Sequence, residues 1–104
     1  MLTNELQDIR DKADEAVRTT EADPGASPVL AAVVQEFAAK SAKAVGLAGS
    51  RREWEAVVEL EQAADSARAA ARADTGAAEG TTASVEAAHL AICTLKADVA
   101  TSAR

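Results

Sequence analysis

Ser50–Ala73, SRREWEAVVELEQAADSARAAARA, is the stretch on which the fold turns. It contains neither proline nor glycine. At about 100° per residue, Val57, Leu60, Ala64, Ala67 and Ala71 fall on one stripe with Trp54 at its edge. Ser50 stands three residues before Glu53, the spacing of a capping box: the serine hydroxyl takes the Glu53 N–H and the glutamate reaches back to the serine N–H. The pattern predicts a helix over residues 51–73 with Trp54 partly buried beside Val57 and Leu60.

Three further helices surround this one. Residues 2–22 carry Leu2, Leu6, Ile9, Ala13, Ala16 and Val17 on one stripe, with Asp8/Lys12 and Asp14/Arg18 as acid-first pairs one turn apart. Asp23-Pro24-Gly25 ends that helix, because proline disfavours helical geometry in the residue before it and glycine takes the turn. Ser27-Pro28 starts the next, serine as N-cap and proline at the first helical position. Residues 28–46 then present Leu30, Val33, Val34, Phe37, Ser41, Ala44 and Val45, and Gly46 suits the left-handed position that closes a helix. Residues 74–82 hold two glycines and three threonines and read as the longest and most mobile break. A fourth helix over 82–102 carries Val85, Ala88, Ile92, Leu95 and Val99. No sustained internal repeat is legible, only shared composition. Four helices joined by short links make an all-α, antiparallel, up-and-down four-helix bundle, with all 104 residues in one domain.

Composition bounds what such a bundle can do. Phe37 and Trp54 are the only aromatic residues, and alanine dominates the apolar positions. Alanine favours helix and close helix approach but contributes little apolar area, so the core is thin. A thin core together with Leu90, which points away from the stripe of its helix, predicts self-association, most simply as a homodimer. The net charge of -6 disfavours nucleic acid, and without a run of four basic residues there is no anchor for an anionic membrane. No segment approaches a membrane span, the N-terminus lacks the apolar run of a signal peptide, and the single Cys93 suits a reducing compartment; the cytoplasm is the expected location.

The chemistry-bearing residues are few. Glu86 and His89 have the Glu-x-x-His spacing of di-iron bundles, with Glu61 as a further inward carboxylate, but one motif is half of what a di-metal site needs. Only a dimer could complete it, so a metal site at Glu86, His89 and Glu61 stands as a weak alternative. Phosphorelay carriers place lysine and glycine three and four residues after their histidine; Ile92 and Cys93 stand there instead. Cys93 lacks oxyanion donors, and no glycine-rich phosphate loop is present. The expected function is therefore a non-enzymatic structural or protein-interaction module without cofactor. Trp54, Arg68, Arg72 and Leu90 are its candidate partner-binding residues, since aromatics and arginines concentrate at hot spots. An acidic inhibitor of a basic partner is a further alternative.

Overall fold

A computed structural model describes residues 2–102, which form four α-helices: α1 Thr3–Glu21, α2 Pro28–Gly46, α3 Glu53–Ala73 and α4 Glu79–Ser102. Each helix packs against two neighbours in the cyclic order α1–α2–α3–α4. The α1–α2 and α3–α4 loops meet at one end, where Asp23 and Asp74 each bond to the other loop. At the opposite end the Leu2 N–H reaches Glu53 Oε1 at the start of α3. Neighbouring helices therefore run antiparallel in an up-and-down bundle. The expected stripes form its core: Leu6, Ile9, Leu30, Val34, Phe37, Val57, Leu60, Val85 and Ile92 are buried, with alanines between them. Among the described residues, no helix is long and apolar enough to cross a membrane.

Several local expectations are corrected. The capping box at Ser50 does not form. The Ser50 hydroxyl donates to the Leu47 carbonyl at 2.6 Å and accepts from the Arg52 N–H, closing a turn ahead of α3. Glu53 is the first helical residue rather than the third, and its carboxylate reaches one residue beyond Ser50 to the Gly49 N–H. Gly49, not Gly46, holds the left-handed conformation, with φ 80°. Ser27 does cap α2, accepting the Leu30 N–H at 3.2 Å. Ser27→Ala is therefore expected to cost about 0.5–2 kcal/mol and Ser50→Ala less than about 0.5 kcal/mol, which denaturant midpoints of the two variants will compare. Arg18 pairs with Glu15 rather than Asp14, while the Asp8/Lys12 pair forms as spaced; on α2, Glu36 and Lys40 pair one turn apart.

The break after α3 is shorter and more tied down than its composition suggests. α4 begins at Glu79, and Asp74 lies across the bundle end from its counterpart Asp23. Asp23 accepts the N–H groups of Gly25 and Ala78 and the Thr81 hydroxyl. Asp74 accepts the N–H groups of Gly76 and Ser27. The two aspartates thus make the same pair of backbone contacts in exchanged loops: own glycine two residues on, other loop across the axis. Gly25 and Gly76 touch back to back, and a Cβ added to either would strike the carbonyl oxygen of the other. The Ala78, Thr81 and Gly25 donors hold the Asp23 carboxyl below its ordinary range, and the Ser27 N–H does the same for Asp74. For a depressed carboxyl, stability is complete above the unfolded pKa and disappears as pH falls through the folded one. The thermal midpoint should hold from about pH 7 to about pH 5 and drop below about pH 4. The Asp23→Asn/Asp74→Asn protein should show a shallower acid limb than the unmodified chain.

The exchanged loops belong to a repeat that residue identity conceals. Moving 51 residues along the chain carries every buried position of α1 onto a buried position of α3: Leu6, Ile9, Ala13, Ala16 and Thr20 onto Val57, Leu60, Ala64, Ala67 and Ala71. The same step carries Leu30, Val34, Phe37, Ser41 and Ala44 of α2 onto Thr81, Val85, Ala88, Ile92 and Leu95 of α4. The bundle is two helical hairpins about a pseudo-two-fold axis that runs between Gly25 and Gly76. Core volume is traded across that axis: Phe37 corresponds to Ala88, Ser41 to Ile92, Ala44 to Leu95 and Leu30 to Thr81. A large side chain on one hairpin answers a small one on the other, so each hairpin is shaped for its counterpart and not for itself.

Candidate functional site

The pseudo-symmetry allows α2 and α4 to be compared position by position on their outer faces. On α2 that face carries Ala32, Glu36, Ala39 and Lys43; on α4 the equivalent residues are Ala83, Ala87, Leu90 and Thr94. Both α2 charges are absent from α4, leucine stands where α2 has Ala39, and one step earlier on the same stripe α2 has the exposed Val29 where α4 has Gly80. All four α4 residues are exposed, Leu90 by 65%. Their spacing of four, three and four residues is that of a coiled-coil seam. Elsewhere the flanks of the bundle are laced with ion pairs, such as Lys40 and Lys43 on Glu59 between α2 and α3. The Glu59 carboxyl is held low and the Lys40 ammonium high by that contact.

A shallow groove runs along each side of this α4 stripe. The groove toward α1, about 430 Å³, has Ile9, Ala87, Leu90, Ala91 and Leu95 among its apolar residues and Glu5, Asp8, Lys12 and Asp98 among its charged ones. The groove toward α3, about 560 Å³, is lined by Arg68, Ala83, Glu86, Ala87, His89, Leu90 and Cys93. Leu90 stands between them and lines both.

The other candidates are placed differently from their sequence readings. Glu86 accepts from Arg68 Nε at 3.2 Å and Arg72 Nε at 3.0 Å. Burial raises its carboxyl, but Arg72 and Arg68 outweigh burial and hold it below the usual range. Arg68 therefore serves Glu86 and not Asp65, and both arginines face a neighbouring helix as well as solvent. Glu61 takes Lys96 at 2.6 Å. His89 is 8% exposed and its Nε2 donates to Asp65 Oδ1 at 2.8 Å. Glu61, Glu86 and His89 thus each have a separate partner and do not converge. Among the described residues, no three His, Cys, Asp or Glu side chains come together as a metal site. Trp54 is 46% exposed, lies outside the core cluster and lines neither groove beside α4. Its placement beside Val57 and Leu60 overstated its burial, because it sits in the first turn where no neighbouring helix covers it fully.

The Asp65–His89–Cys93 row has the residue types of a thiol nucleophile with its base, so its geometry decides its chemistry. The Cys93 sulfur is 3.7 Å from both ring nitrogens of His89. Equal distances put the sulfur on the plane bisecting the ring, in line with neither nitrogen lone pair. Within the ring plane it would collide with the carbon between the nitrogens, so it rests over the ring face. That is a packing contact, not a proton path. Burial, and then the carboxylates of Glu61 and Asp65, push the Cys93 thiol up, the opposite of what a nucleophile needs.

Comparison with known proteins finds no matching family, no similar curated protein and no similar solved structure.

Proposed function

We propose that this protein is a non-enzymatic helical interaction module that self-associates as a dimer through the outer face of α4. The observation that carries the reading is the contrast between the two equivalent helices. Between the matching outer faces, that of α2 carries Glu36 and Lys43 and has its exposed apolar residue, Val29, in the first turn, whereas that of α4 is uncharged from Ala83 to Thr94 and sets Leu90 at mid-helix between two grooves. An uncharged stripe with charged residues along both margins, in a chain of net charge -6, is best accounted for by a surface that another helix covers. The second copy is the occupant because the stripe is self-complementary: Leu90 is a single large knob, and Ala83, Glu86, Ala87 and Leu90 stand at the spacing of the four residues that form one hole, with the Glu86 carboxylate drawn to its edge by Arg68 and Arg72.

Leu90→Glu is expected to weaken self-association by about 100- to 10,000-fold, the worth of two buried leucines, one from each copy, while leaving helix content unchanged. The control is Ala39→Glu, at the matching position of α2, which should leave association intact. Sedimentation velocity on the two variants distinguishes the faces. Equal association of both variants and the unmodified chain would rule out the α4 face.

A further inference from the structure

We infer that the two copies pair antiparallel along α4, with Leu90 of each chain over Ala87 of its partner and Ala83 over Thr94. The inference rests on the self-association reading above and adds its geometry. The first argument is size. Leu90 is the only large residue of the stripe, flanked by Ala87 and Thr94, with Ala83 one step beyond Ala87. Parallel pairing sets leucine on leucine and alanine on alanine, so the helices are propped apart at one contact and leave a void at the next. A two-fold axis midway between positions 87 and 90 sets leucine against alanine at both contacts, and the helices approach evenly along the seam.

Charge points the same way. A two-fold axis perpendicular to the helices brings the α3 side of one copy against the α3 side of the other with heights inverted. Arg72, its side chain 58% exposed, is held beside Glu86, on one side of that axis. Asp65, its side chain 62% exposed, is held beside His89, on the other side of it. Inversion therefore brings the Arg72 guanidinium of each copy to the flank on which the partner's Asp65 lies, a favourable pairing at the rim. The third argument is the acidic end of the α1 groove. Glu5 and Asp98 lie near the close of α4, beside Asp8, whose charge Lys12 offsets. Antiparallel pairing sends these carboxylates to opposite ends of the dimer, whereas parallel pairing gathers both sets at one end, where they repel.

Site-directed cross-linking in the full-length chain tests the sense of pairing. Two proteins are made on a Cys93→Ser background, one with Ala83→Cys and one with Thr94→Cys, both at exposed positions. Antiparallel pairing predicts that mixing the two, with a mild copper–phenanthroline oxidant, forms the mixed disulfide on the order of 10-fold faster than either protein links to itself. Self-linking of both single variants at the faster rate would overturn the antiparallel sense and leave the α4 dimer standing. A dimer by light scattering with no rapid cross-link of any kind would overturn the seam. Monomers at every concentration would overturn the self-association reading and the inference with it.

Discussion

Phe37→Ala is expected to lower the unfolding free energy by about 3–5 kcal/mol, and adding Ala88→Phe should restore a large part of that loss. Phe37 is fully buried and is the only aromatic residue in the core. Its truncation leaves a cavity in a core where many of the positions are alanine. Ala88 is its counterpart across the pseudo-two-fold axis and is also fully buried. Ala88→Phe alone inserts a ring where there is no room, costing about 1–3 kcal/mol by overpacking. In the double variant the ring occupies the same core layer from the opposite hairpin. The two changes should then couple by about 1–3 kcal/mol in the restoring direction. Denaturant unfolding of the four proteins of the cycle measures it. Additive losses would mean that the axis relates backbone positions without relating the packing between them.

The second large effect is at the end of the bundle. Gly25→Ala and Gly76→Ala are each expected to destabilise by about 1–3 kcal/mol, although both glycines are exposed. Exposed glycines in turns ordinarily tolerate alanine. Here each Cβ meets a backbone carbonyl of the other loop, which cannot move aside without breaking the bonds of Asp23 and Asp74. Gly80 supplies the contrast: it is helical, nothing lies near where its Cβ would be, and Gly80→Ala should stabilise by up to about 1 kcal/mol. Thermal melts of the three variants report the signs directly. Unchanged melting of both Gly25→Ala and Gly76→Ala would mean that the loops do not pack as described.

The fold was legible in the sequence because helix stripes are a local signal. Every stripe residue from Leu6 to Leu95 named for its spacing is buried or packed against the core. Helix ends were less legible, since a cap depends on where the helix begins, and Glu53 was drawn away to tie Gly49 and Leu2. The repeat was hidden for a physical reason. Burial constrains the sum of volumes across the axis rather than each side chain, so Phe37 and Ala88 can be equivalent without resembling one another. The ion pairs across helices, Arg72 to Glu86 and His89 to Asp65, depend on which helices are neighbours, and no single-helix pattern encodes that. Leu90 points out of the bundle as the periodicity predicts, and Asp8 and Lys12 pair on the surface as their spacing predicts. The reading of Leu90 as part of a seam, however, rests on comparison with Ala39 on the matching helix.

Self-association through α4 is tested most directly by the mass of the unmodified chain in solution. Sedimentation equilibrium at several concentrations, into the tens of micromolar, should show a reversible rise from the 10.6 kDa chain toward twice that mass. The Leu90→Glu chain in the same cells should remain near the single-chain mass. A particle of 10.6 kDa at every concentration, indistinguishable from Leu90→Glu, would contradict the proposed role of the α4 face.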